Sequence, residues 1–170
     1  TPELVLRFLP ALPLRERPKL VTTDGEFHTL RRRLDRLAEE RVVEVVKVST
    51  EPAAAIAERL IAAVDRRTAA VLTSSVLYAN ARIVTSLDRV MERSRQMGAE
   101  LLVDAYHQIG VVPCALRRDG LDDAFVTGGG YKYCQLGEGN CFLRVPPGRA
   151  MRPVITGWYA EFAALGESPG

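Results

Sequence analysis

Residues 18–48 read PKLVTTDGEFHTLRRRLDRLAEERVVEVVKV and hold a strand, a helix and a second strand in succession. Lys19 to Thr23 is a short apolar run bounded by Pro18 and by Asp24-Gly25, the pattern of a buried strand. Phe27, Leu30, Leu34 and Leu37 then recur at three- to four-residue spacing, which predicts an amphipathic helix from about Glu26 to Glu40. Val42 to Val48 (VVEVVKV) is rich in β-branched residues and predicts the next strand.

The same alternation continues outward from this unit. Thr50 is placed to cap, and Pro52 to open, a helix running through Ile56, Leu60 and Ile61 to about Val64. Ala69 to Thr73 predicts a strand. Ser86 is a candidate cap for a helix carrying Leu87, Val90, Met91 and Ser94, with Gly98 just past its end. Glu100 to Val103 predicts a strand ending at Asp104, and Ala124 to Thr127 and Cys141 to Val145 complete a set of about six. Strands apolar on both faces and separated by helices imply an α/β fold, a three-layer α/β/α sandwich with a mainly parallel sheet. Its ligand site is then expected at the carboxyl ends of the strands. Thr23-Asp24, Ser74-Ser75, Asp104 to His107 and Gly128-Gly129-Gly130 all gather there.

A chain of 170 residues, 47% hydrophobic and 26% charged, suits one domain with a substantial core rather than a disordered segment. The apolar stretch from Leu4 to Leu14 is broken by Arg7, Pro10 and Pro13, so neither a membrane span nor a secretory signal is expected, and the reading is cytoplasmic. Start at Thr1, the proline-bearing N-terminal stretch and the GESPG tail read as cut ends of an excised piece. Net charge is +2, from 23 basic and 21 acidic residues spread along the chain, which gives no footprint for nucleic acid or an anionic membrane. Arg31-Arg32-Arg33, followed by Asp35, Glu39 and Glu40, reads as a solvated helix face. Cys114, Cys134 and Cys141 have no zinc spacing and an odd count, so reduced thiols and no metal centre are expected. Almost all basic residues are arginine; the only lysines are Lys19, Lys47 and Lys132.

Two segments carry candidate chemistry. Gly128 to Tyr133 (GGGYKY) leaves a strand and delivers a lysine, without the GxxxxGK[ST] spacing of a phosphate loop. A lysine on an apolar-flanked turn sheds part of its hydration, as an imine-forming amine requires; a glycine-rich turn with a surface lysine is the alternative. Asp104 closes the LLVD strand, where an ionised carboxylate wants a cationic partner, with His107 three residues on. Capping of the following turn by Asp104, beside a half-buried His107, is the alternative there.

Taken together, VDAYHQIGVVP followed by DDAFVTGGGYKYCQLGEG resembles the fold-type-I pyridoxal-phosphate enzymes of the class V aminotransferase group, and kynureninase in particular. That resemblance implies the PLP-dependent transferase-like major domain. By it, Lys132 would form the Schiff base, Asp104 would pair with the pyridine nitrogen, Tyr131 would hydrogen-bond the cofactor phosphate and His107 would support Asp104. EFHTL lies where the family carries Phe-Pro-Thr-Asp, so Phe27 would stack on the ring and Thr29 would lie near the cofactor. ITGWYAEF resembles the family's Gly-Trp-aromatic segment, so Trp158 would sit near phosphate or substrate. The likeness runs from about Lys19 to Phe162.

The same resemblance implies hydrolytic Cβ–Cγ cleavage of kynurenine or 3-hydroxykynurenine and a homodimeric parent acting on a small amino acid. Residues 1–170 would be its cofactor-binding large domain, without the N-terminal loop and C-terminal small domain. The chain departs from the pattern at His28, in place of proline, and at Leu30, in place of aspartate. Another class V activity, an aminotransferase or a cysteine-desulfurase-like lyase, and a non-catalytic relative of the fold are the competing readings.

Overall fold

The computed structural model describes residues 2–149, 151–157 and 166–167. Its centre is a six-stranded sheet, with β1 Lys19–Thr23, β2 Glu44–Val48, β3 Thr68–Ser74, β4 Glu100–Asp104, β5 Phe125–Gly129 and β6 Cys141–Arg144. The order is β2-β1-β3-β4-β5-β6. The first five strands run parallel, and β6 returns antiparallel to β5. The expected three-layer α/β/α architecture is therefore present, with an antiparallel strand at one edge.

Period-two alternation divides the core between the two faces of the sheet. Val21, Val71 and Leu101 face the helices α3 (Ile56–Ala63) and α4 (Leu87–Met97), packing on Ile56, Leu60, Val90 and Met91. Their neighbours Leu20, Leu72 and Leu102 face the other way, onto α1 (Pro2–Phe8) and α2 (His28–Glu39), packing on Val5, Phe8, Leu30 and Leu34. Both faces of β1 and β3 are fully covered, which is why these strands read as continuous apolar runs.

Two helix-cap expectations are corrected, and the N-terminal stretch adds a helix that the sequence reading did not predict. The N-terminal stretch is part of the domain, because Val5, Phe8, Leu9 and Leu12 recur at helical spacing and are buried, with the Phe8 ring 4.9 Å from that of Phe125. The breaks at Arg7 and Pro10 hide that face from a reading by apolar runs. Thr50 caps no helix: the Asp24 carboxylate accepts hydrogen bonds from its backbone N–H and its hydroxyl, both at 2.8 Å. Pro52 stays extended, a 3-10 turn spans Ala53–Ala55, and α3 begins only at Ile56. Ser86 precedes α4 in a left-handed conformation and makes no side-chain cap. Gly98 does end α4 in the left-handed region, at φ 69°, as the sequence predicts. The Arg17 guanidinium seals that end by donating to the carbonyls of Met97 and Gly98.

Among the described residues no helix is long and apolar enough to cross a membrane, and no cluster of metal-ligating side chains occurs. All three cysteines are free thiols.

Candidate active site

A cavity of about 720 Å³ lies between the carboxyl end of β4, the turn after β5, the start of α2 and residues 2–5 of α1. Phe27, Thr29, Asp104, His107, Tyr131 and Lys132, six of the seven residues singled out from sequence, line it. Trp158 lies outside the described residues.

Asp104 is the last residue of β4, and the backbone N–H of Tyr106 donates to its Oδ1 at 2.9 Å. Burial raises its pKa above the ordinary carboxylate value; the Tyr106 N–H and, more weakly, Lys132 pull it back. The carboxylate is thus held at a strand end with capacity to accept a further donor from the cavity. Asp104 caps the turn that follows and also lines the cavity.

Lys132 stands at the mouth. Its Nζ lies 2.6 Å from His107 Nε2, 5.1 Å from the centre of the Phe27 ring and 5.6 Å from that of Tyr106. It is exposed rather than desolvated, so its placement owes more to these rings and to His107 than to burial. Burial, and then the charge of Lys132, lower the His107 pKa, which favours the neutral imidazole, able to accept a hydrogen bond from the amine. His107 therefore partners Lys132, and among the described residues it makes no hydrogen bond to Asp104, contrary to the expected support of that carboxylate. The other two lysines are tied elsewhere: Lys19 pairs with Asp65 at 2.9 Å and Lys47 with Asp35.

The glycine run gives close approach rather than a special backbone angle. The strand β5 extends through Gly129, and a Cβ there would come within 2.6 Å of Tyr106 Cε2 and 2.8 Å of the Asn140 carbonyl oxygen. At Gly130 it would meet Leu136 at 2.6 Å. The Lys132 turn is closed by the Leu136 N–H donating to the Gly130 carbonyl at 3.0 Å. Gly129→Ala is expected to push β6 off β5 and destabilise the fold by about 1–3 kcal/mol, the usual cost of overpacking. An unchanged urea midpoint would contradict this.

Two cavity residues, Arg33 and Cys141, were not legible as such. Arg33 belongs to the basic run read as a solvated face, yet it lines the cavity, with a buried Nη1 that has no hydrogen-bond partner among the described residues. Elsewhere on α2, Arg31 pairs with Asp35 at 3.7 Å and Arg36 with Glu39 at 3.1 Å. Cys141, on β6, also lines the cavity. Leu30, in the position of the expected aspartate, is buried in the core and lines the wall as an apolar group.

Glu26, buried one residue before Phe27 and outside the cavity lining, was not legible either. It is 2% exposed and accepts three hydrogen bonds, from Thr23 Oγ1 at 2.7 Å, the Ser74 N–H at 3.1 Å and Ser74 Oγ at 2.6 Å. Burial pushes its pKa up to about 7 against these bonds, with a smaller push from the charge of Asp104. Its signal in the sequence was weak, because an acidic residue after Asp24-Gly25 reads equally as the first turn of a helix.

A pyridine ring with a phosphate arm fits these residues. Phe27 offers a flat apolar face beside the amine of Lys132, Asp104 offers an acceptor for a protonated ring nitrogen, and the orphaned Arg33 Nη1 offers an anion partner.

No protein-family model and no curated protein sequence matches the chain. Solved structures do share its fold. A NifS-like protein superposes with TM-score 0.75 at 19% identity, over 92% of this chain and 43% of that one. An apo cysteine desulfurase from Thermococcus onnurineus gives TM-score 0.69 at 17% identity, over 86% of this chain and 36% of that one. A C-DES variant with glycine covalently linked to its PLP cofactor gives TM-score 0.70 at 17% identity, over 84% and 38%. The chain thus spans less than half the length of these structures and has the α/β fold of their corresponding parts.

Proposed function

We propose that this chain is the cofactor-binding part of a class V pyridoxal-phosphate enzyme that breaks a bond at the β carbon of an amino acid. The carrying observation is the placement of Lys132 Nζ at the mouth of the cavity, 2.6 Å from a neutral His107 and beside the Phe27 ring, with Asp104 in the same cavity. When bound, the cofactor supplies an electron sink for charge developed at the amino acid's α carbon. Lys132 is the amine that holds its aldehyde carbon. His107 Nε2 accepts a hydrogen bond from Nζ and so holds the amine at the cavity. Asp104 would accept from a protonated ring nitrogen, and Phe27 would offer the ring an apolar face. Tyr131 and Arg33 are the cavity's donors for phosphate.

Carbon–sulfur cleavage is the leading finer reading, because the solved structures of like fold include cysteine desulfurases and the cystine C–S lyase C-DES. Kynureninase-type carbon–carbon hydrolysis is the second. It is favoured by the Asp-x-x-His and Tyr-Lys-Tyr segments and by an aromatic rim of Phe27, His28, Tyr78 and His107, whose ring centres lie 5.3–6.5 Å apart and would suit an aromatic substrate. Exposed Tyr131, Tyr133, Leu136 and Phe142 around the Lys132 turn support a homodimer.

Incubation of the PLP-loaded protein with cysteine, cystine and kynurenine tests the choice. Release of sulfide or persulfide is expected from the sulfur substrates; release of alanine with anthranilate from kynurenine would instead establish the second reading. With whichever substrate turns over, Asp104→Asn is expected to lower the rate by about 10–100-fold while borohydride still fixes the cofactor on Lys132, because the charge partner is lost and the amine is not. An undiminished rate would remove Asp104 from its role.

A further inference from the structure

The parallel ladder between β1 and β3 pairs Lys19 with Thr68, Leu20 with Ala70 and Val21 with Val71, and goes no further, although the strands run on to Thr23 and Ser74. Strand order reverses at this pair, since β2 follows on one side of β1 and β3 lies on the other, and such a reversal splays the strand ends to make a ligand crevice. Past Val21 the join is made by side chains. Thr22 Oγ1 donates to the Leu72 carbonyl at 2.8 Å, and the Glu26 carboxyl group bridges Thr23 to Ser74. Ser74 is in register with Asp104 on β4, and the Ser75 N–H donates to the Asp104 carbonyl at 3.0 Å.

Phe27 follows Glu26 directly and is extended, at φ −57° and ψ 144°, before α2 begins. Its ring is 36% exposed, and its aromatic neighbours are the rim groups His28, Tyr78 and His107 rather than the core. Core packing therefore does not hold the ring in place. The nearest rigid point in the chain is the Glu26 carboxyl one residue before it.

We infer that Glu26 is a positioning residue: its carboxyl group joins the carboxyl ends of β1 and β3 where their backbone ladder stops, and so fixes where the Phe27 ring lies relative to Lys132. An apolar side chain would fill the same space but leave the Ser74 N–H without a partner, along with the hydroxyls of Thr23 and Ser74. Glutamine would keep every bond, with its carbonyl oxygen accepting from Thr23 and the Ser74 N–H and its amide donating to Ser74 Oγ. Because the carboxyl is bonded to two strands, it acts on the ring through geometry and has no contact with substrate.

This inference rests on the proposed function only for its loaded arm. In that arm PLP is titrated into the intact protein, and occupancy of Lys132 is read after borohydride reduction by peptide mass. Glu26→Ala is expected to weaken uptake about tenfold, Phe27→Ala similarly, and the double variant no more than about twofold beyond either, since both act through the ring. Glu26→Gln is expected to stay within about threefold of the native protein. Independent, multiplying losses, or Glu26→Gln as poor as Glu26→Ala, would overturn the inference.

The second arm uses no cofactor. Measured in acid, below pH 4.5, where Glu26 keeps its proton in both states, amide exchange in residues 26–30 and 74–76 is expected to speed up about tenfold in Glu26→Ala and to stay native in Glu26→Gln. Unchanged exchange in Glu26→Ala would overturn the inference. Native protein that leaves Lys132 unmodified would sink the proposed function, and the exchange arm would still decide on Glu26.

Discussion

Replacement of Lys132 by alanine is expected to abolish cofactor capture and lower turnover on the order of 10³-fold or more, while leaving the fold intact. The loss is large because no other side-chain amine can take over: Lys19 is 10% exposed in its pair with Asp65, and Lys47 is held by Asp35 on the far edge strand. Stability is spared because Lys132 is exposed on a turn and contacts only rim groups. Lys132→Arg is expected to fail as completely, since a guanidinium keeps its proton and does not attack a carbonyl carbon. Peptide mapping after PLP and borohydride checks this. A pyridoxyl mass found on Lys47 or Lys19, or uptake unaffected in Lys132→Ala, would refute the assignment of the amine.

Glu26→Gln is expected to stabilise the protein above neutral pH. The carboxyl of Glu26 is raised from 4.5 to about 7 in the folded chain. Between those values the folded state keeps a proton that the unfolded state releases, so stability falls as pH rises through the window. A shift of this size corresponds to about 3 kcal/mol, present as a cost at and above pH ~7 and absent below pH ~4.5. Glutamine does not ionise and keeps the same bonds, so the variant should match the native protein in acid and exceed it by about that amount at pH 8. Urea unfolding at several pH values is the measurement. Parallel pH profiles for the two proteins would show that Glu26 does not titrate in this range.

The strand β1 was readable to the residue because Pro18 and Asp24-Gly25 bound an apolar run whose two faces are both covered. The start of α3 was not, because the bond from Asp24 to Thr50 joins residues 26 apart in sequence and removes the expected cap. The N-terminal helix escaped for a related reason: its buried face is continued past Pro10 to Leu12, and helical spacing interrupted by proline does not register as a helix. Within the site, Asp104 and Lys132 were legible because a carboxylate at a strand end and a lysine after a glycine run are both locally conspicuous. The His107–Lys132 contact, across 25 residues of sequence, was legible only as a shared location. Arg33 and Glu26 were hidden by good local explanations, a charged helix face and a helix first turn, which the tertiary structure overrides. The glycine run is conspicuous in the sequence, but the reason for Gly129 and Gly130 is the close approach of Tyr106, Asn140 and Leu136, which no local signal reveals.

The near absence of lysine also makes the chain unusually simple to interrogate chemically. With Lys19 shielded by Asp65 and Ala63 and the exposed Lys47 paired with Asp35 away from the cavity, Lys132 is the one lysine an amine-directed reagent meets at the cavity mouth, beside a neutral imidazole. Ordinary surface labelling thus becomes a reporter on the cavity mouth, and protection of that single position by an added small molecule measures its entry without a spectroscopic signal or a turnover assay.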